Sequence, residues 1–89
     1  MKYRKKPVEV EAMQWTGHNA KDLSLWSDGA FSEIDPEDRQ DDPEATGQLF
    51  VNANRAYLAI VPGEWVIKDQ RGFYPCKPDI FAVTYEKVE

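Results

Sequence analysis

Cysteine and histidine are almost missing from this chain. Cys76 is the only thiol and His18 the only imidazole in 89 residues, so neither an internal disulfide nor a zinc set of clustered Cys and His can form. Small secreted domains depend on several disulfides, and a single cysteine therefore points to a reducing, cytoplasmic setting. No apolar run approaches the roughly 20 residues of a membrane-spanning helix. The basic start, with Lys2, Arg4, Lys5 and Lys6, lacks the apolar segment that an export signal places behind such charges. The expectation is a protein that stays where it is made and has no membrane partner. Glycine is scarce as well, and Gly63 and Gly72 fall between apolar segments rather than ahead of a helix, which removes a phosphate-cradling loop. No cofactor and no bound metal are expected.

Positive charge is in short supply: 11 Lys and Arg stand against 16 Asp and Glu, for a net charge of −5. The deficit is local. Between positions 33 and 44, Glu33, Asp35, Glu37, Asp38, Asp41, Asp42 and Glu44 face Arg39 alone, seven negative charges to one positive, so the rest of the chain is close to neutral. With Pro36 and Pro43 and little to bury, residues 35–47 read as an exposed acidic loop. The Asp-x-Asp-x-Asp-Gly spacing of a calcium loop is missing there. Asp38, Asp41 and Asp42 are instead candidates for contact with a partner. The four basic residues near the start read as a solvated strand end, and nucleic acid is not an expected partner.

What is present is a single small domain over residues 1–89. A chain of this length buries roughly 60–65% of its unfolded surface, so three Trp, four Tyr and four Phe must supply much of the core. Residues 6–12 alternate apolar and polar, as a strand with one buried face does, and Met13 to Trp15 continue with the opposite parity. Either a bulge lies near Ala12 and Met13, or Trp15 packs under a following helix, which is the favoured reading. That helix covers residues 20–26, with Asn19 as N-cap and Gly29 as its stop. A short second strand is expected over residues 30–34.

From Gln48 the chain reads as a strand meander. Residues 49–51 lead to a tight turn in which Asn52 and Asn54 take the left-handed positions. Residues 57–61 are apolar on both faces, as in a central strand. Pro62 and Gly63 suit the middle of a type II turn, residues 65–67 form the next strand, and Arg71-Gly72 turns into another at Phe73 and Tyr74. Asp79 is placed to cap a helical turn, and residues 84–88 alternate again as a closing edge strand. The sum is an α+β fold: an antiparallel sheet of about four to six strands with a helix after the first strand and a helical turn near the end.

The stretch VPGEWVIKDQRGFYPCKPD, residues 61–79, concentrates aromatic, turn and reactive residues. Nucleophilic work by Cys76 needs a base, and nothing in the spacing brings His18 to it. A thiol between two prolines reads first as a small packed side chain, although Lys77 beside it would lower its pKa if both are exposed. Trp65 reads as core, yet with Arg71, Tyr74 and Lys77 it can also line a shallow aromatic and cationic pocket. Glu64, Arg71, Tyr74, Cys76, Lys77 and Asp79 are therefore the candidate binding surface here, and no residue is assigned a catalytic role.

The opening MKYRKKPVEVEAMQW, with PGEWVI at 62–67, FYPCKPDIF at 73–81 and TYE at 84–86, resembles a family of small uncharacterised proteins of bacteriophages and prophages. Pro-Gly is usually followed there by Asp, where this chain has Glu64. The resemblance implies a phage origin and action in the host cytoplasm, and it brings no activity, cofactor or catalytic residue. The expected role is a non-catalytic binding module that engages a host protein, or else a small ligand. The alternatives are a ligand-sequestering protein or enzyme built around Arg71, Tyr74, Cys76 and Lys77, and a virion-associated structural protein. Oligomeric state is left open by the sequence.

Overall fold

The computed structural model describes residues 1–3, 9–38 and 44–87. Six strands and two helices follow in the order β1 (Glu11–Gln14), α1 (Ala20–Trp26), β2 (Phe31–Glu33), β3 (Gly47–Val51), β4 (Ala56–Ile60), β5 (Trp65–Asp69), β6 (Gly72–Cys76) and α2 (Pro78–Thr84), with one 3₁₀ turn at Pro36–Asp38. The fold is α+β and every strand pair is antiparallel, but the strands form two sheets of three, ordered β1-β5-β6 and β2-β3-β4.

Strand parity explains where the core lies. In the first sheet Met13, Val66 and Phe73 share one face, whereas Ala12, Trp65, Ile67, Tyr74 and Cys76 share the other. The first face meets α1, where Trp26 sits edge-on to Phe73 at 5.4 Å, and the second sheet, which presents Phe31, Leu49, Ile60 and Val51. Trp15, Leu23, Phe31, Leu49, Ile60 and Val66 are wholly buried there. The opposite face of the first sheet is covered by α2: Phe81 stacks flat on Trp65 at 4.0 Å, and Tyr85 meets the ring of Phe81 at 5.1 Å. Ile67, wholly buried, lies on that same face.

No bulge interrupts residues 11–14, whose register against β5 is continuous. Trp15 instead leaves the strand and turns into the core beside Leu23 and Phe31, 4.8 Å from the Phe31 ring. Its indole N–H donates to the Thr46 hydroxyl at 3.1 Å, which gives a buried donor the partner it requires. The part of the expected first strand at residues 6–8 lies outside the described residues.

Several local expectations are corrected. Asn19 stands at the N-cap of α1 but makes no capping bond to the helix. Its amide ties the preceding loop instead, accepting from the Thr16 N–H and hydroxyl and donating to the Gln14 carbonyl at 2.8 Å. At the end of α1 Gly29, at φ 85°, bonds its N–H to the Ser24 carbonyl, and Asp28 before it is left-handed too, at φ 57°, with its N–H bonded to the Leu25 carbonyl, a Schellman closure. In the β3–β4 turn it is Arg55, not an asparagine, that takes positive φ, at 50°. Strand β4 is an edge strand with Ala56, Tyr57 and Ala59 exposed, not a central one. Apolar side chains on both faces are tolerated there because alanine exposes little surface. Lys77, in extended conformation, is the N-cap of α2 and Pro78 its first residue, so Asp79 lies inside the first turn and caps nothing. The expected closing strand at 84–88 is not formed among the described residues: α2 runs to Thr84, and the aromatic at 85 is drawn to Phe81 and Tyr74.

Candidate functional site

Both sheets end in hairpins at the same place. The four-residue turn at 52–55 joins β3 to β4, and the two-residue loop Gln70-Arg71 joins β5 to β6. Asp69 closes the second loop by accepting the Arg71 N–H at 2.8 Å. The two tips touch: the Asn52 amide donates to the Arg71 carbonyl at 3.4 Å, and Asn52 packs so closely on Gly72 that a Cβ at that residue would lie 2.7 Å from the amide nitrogen. Gly72 also holds φ at 127°, which side-chain-bearing residues rarely adopt, so two constraints select glycine there.

Between the tips runs an open groove of about 450 Å³. Leu58, Phe73 and Pro75 form its apolar floor, the backbone of Tyr74 runs between the last two, and Asn52, Asn54, Asp69 and Arg71 are its polar lining. Arg71 is exposed, and Pro75 stands in an edge strand, where a residue without an N–H leaves no bond unmade. A concave apolar surface with a few convergent polar groups is the usual form of a recognition site.

Of the sequence-stretch candidates, Arg71 and Tyr74 line this groove, but the Tyr74 hydroxyl is committed elsewhere, 3.2 Å from that of Tyr85. Burial, then the Tyr85 hydrogen bond and charge, and the charges of Asp69 and Cys76 push its pKa far up, so it stays a neutral phenol. Cys76, Lys77, Glu64 and Asp79 belong to the other end of the hairpin. Four strand steps at about 3.3 Å each separate Cys76 from Gly72, roughly 13 Å along β6. The pocket expected from Trp65, Arg71, Tyr74 and Lys77 together is therefore not assembled, since Trp65 pairs with Cys76 and stacks under α2.

At that far end the chemistry is quiet. Burial, then the carboxylates of Asp79 and Glu64, push the Cys76 thiol above its ordinary value, the opposite of the lowering expected from Lys77. The Sγ lies 3.6 Å from the Lys77 carbonyl. Glu64 serves the Pro62-Gly63 turn: its carboxylate accepts the Val61 N–H at 2.8 Å while its own N–H donates to the Val61 carbonyl at 3.1 Å, with Gly63 at φ 102°. His18 is exposed in the loop before α1.

Glu33 and Gly47, which flank the acidic connection, lie at the end of the second sheet opposite the β3–β4 turn and the groove. Asp38 is exposed in the 3₁₀ turn, but the expected loop is not solvated throughout: Ala45 is buried, Thr46 holds the Trp15 indole, and Gly47 already begins β3. Asp41 and Asp42 lie outside the described residues. Among the described residues no group of three or more His, Cys, Asp or Glu is placed to hold a metal ion, and no helix is long and apolar enough to cross a membrane.

Asn52, Asn54, Asp69 and Phe73 were not singled out by sequence reasoning as binding residues. Their one signal was position, since each lies in or beside a hairpin turn, and turns of adjacent sheets converge when their strands end together. Comparison with known proteins gives no match to a protein-family model, a curated protein or a solved structure.

Proposed function

We propose that this chain is a small phage accessory protein that acts as a non-catalytic binding module on a host protein in the host cytoplasm, and that the groove between the two hairpin tips is its recognition site. The groove carries the reading: an apolar floor of Leu58, Phe73 and Pro75 with a polar lining of Asn52, Asn54, Asp69 and Arg71, on tips locked together through Asn52 and Gly72. Its volume suits one or two projecting side chains rather than an extended segment. The phage origin is supported by the motif resemblance at both ends of the chain, and the non-catalytic reading by the separation of Arg71 from Cys76 and Lys77 along β6 and by the protonated thiol.

Capture of the tagged protein from infected host cells tests this, with Arg71→Glu as the paired variant and circular dichroism as the check on folding. The wild type is expected to retain a host protein that Arg71→Glu releases, and titration of that purified protein is expected to shift the amide signals of Asn52, Asn54 and Phe73. Equal retention by Arg71→Glu, or shifts confined to the acidic connection, would overturn the reading.

A further inference from the structure

Among the described residues, strand β4 ends the second sheet with nothing paired to its outer side. The direction of its free groups follows from one bond. The Phe50 N–H donates to the Ala30 carbonyl at 2.9 Å, so the backbone of Phe50, and by alternation that of Gln48, faces β2. Gly47, Leu49 and Val51 then face β4 and exchange bonds with Ile60, Leu58 and Ala56, their register partners. Tyr57 and Ala59 are left with both their N–H and C=O groups directed outward. Both residues are exposed, Tyr57 by 57%.

Other sheet edges are defended. β6 carries Pro75, β2 is only three residues long, and β1 is four residues long and opens on Glu11. β4 has none of these devices. Its five residues, Ala56–Ile60, hold no charge and no proline in a chain with 30% charged residues.

We propose that β4 pairs with β4 of a second copy, antiparallel about Leu58, joining two three-stranded sheets into one of six strands. The strand is complementary to itself in three respects. The outward-facing residues, Tyr57 and Ala59, are symmetric about Leu58, so each Tyr57 meets Ala59 of the second copy and the two pairs exchange four backbone bonds. On the open face each large ring lies opposite a methyl group, beside the Phe50 ring that already touches Tyr57 at 5.3 Å. On the inner face Leu58, half-buried in one chain, meets Leu58 of the other in the closely spaced type of pair. Continuing the register sets Arg55 opposite Val61 of the second copy, so no like charges are opposed. A foreign strand can form the same backbone bonds, but only a second copy repeats the Tyr57 and Ala59 match at both ends of the pairing by two-fold symmetry.

Sedimentation across concentration is the first test: the wild type is expected to reach the mass of two chains, and Tyr57→Lys, a change at an exposed side chain, to keep the mass of one with its circular dichroism unaltered. The second test reads register. In a Cys76→Ser background, Leu58→Cys is expected to form an intermolecular disulfide on mild oxidation, because closely spaced cross-strand residues meet disulfide geometry, whereas Ala56→Cys, four positions out of register with its own copy, is not. A wild type that stays a single chain at millimolar concentration overturns the proposal. So does a dimer that Tyr57→Lys leaves intact, or a disulfide that forms as fast at Ala56→Cys as at Leu58→Cys.

Discussion

Gly47 offers a sharp test of how tightly this small core is built. It has no special backbone conformation, and as the first residue of β3, opposite Glu33 and Ile60, it would ordinarily accept any strand former. Space forbids it: a Cβ there would lie 2.6 and 2.7 Å from two atoms of the Phe31 ring and 3.3 Å from the Trp15 indole nitrogen. Phe31 cannot retreat, because it is wholly buried and its ring already meets Trp15, itself held by Thr46. Overpacking of this kind costs about 1–3 kcal/mol, and a blocked ring argues for the upper half. Replacing glycine also restricts the unfolded chain, which stabilises by about 0.4–1 kcal/mol. The crowding wins, and Gly47→Ala is expected to lose about 1–2.5 kcal/mol, a Tm lower by roughly 5–15 °C for a domain of this size. Thermal unfolding followed by circular dichroism reads this directly. A Tm equal to or above that of the wild type would refute the reasoning, since it would mean that the Phe31 ring moves freely. A double-mutant cycle sharpens the test: in a Phe31→Leu background the same change is expected to cost less, with a coupling of at least about 0.5 kcal/mol.

Alkali should destabilise the fold in two stages. Tyr74 and Cys76 both hold their protons more tightly folded than unfolded, so their contribution is complete below the ordinary values of 10.0 and 9.0 and is lost as pH rises through the folded ones. Urea midpoints are therefore expected to fall from about pH 9 upward, and Tyr74→Phe to remove the later stage; a flat profile would disprove the assignment. Alkylation of Cys76 near neutral pH is expected to be slower than that of a free thiol and faster in Asp79→Asn, whereas a thiol more reactive than free cysteine would contradict the acidic surroundings described. Glu64→Ala strands the Val61 N–H and should cost about 1 kcal/mol, whereas Glu64→Gln keeps an acceptor oxygen and most of the stability, both read as urea midpoints.

The fold class and the tight turns were legible because they depend on local chemistry. Proline followed by glycine at 62–63 presets its own torsions, and the inward turn of Trp15 followed from a break in parity. Burial of β4 was misjudged for a physical reason: a strand of alanine, leucine and isoleucine has the same pattern whether a second layer covers it or water does, and only the division into two sheets decides. The cap residues misled in a similar way. Asn19 and Asp79 are good helix starters, but Asn19 found a nearer partner in Thr16, and a proline at position 78 had already begun the second helix. The groove was half legible. Arg71 and Tyr74 were marked by type, while Asn52 and Asn54, twenty residues upstream, join them only because two hairpins from different sheets end side by side. No spacing within a single segment encodes that meeting.

The covering of the first sheet by α2 has one more consequence. Trp65 and Phe81 stack at 4° from parallel, and the ring of Tyr85 and the hydroxyl of Tyr74 extend that contact, yet among the described residues the outer side of α2 meets no other element, and Val83 is 86% exposed. The helix is thus bound by one seam of rings, which reaches the cluster of Trp15, Phe31 and Leu49 through Tyr74. A protein so layered opens in stages: the seam can part while the inner cluster stays closed, so amide exchange over residues 78–84 samples a lower free-energy gap than exchange in β5. Its three tryptophans divide accordingly, Trp65 reporting on the seam and Trp15 and Trp26 on the interior. The molecule carries its own spectroscopic means of telling peripheral loosening from global unfolding.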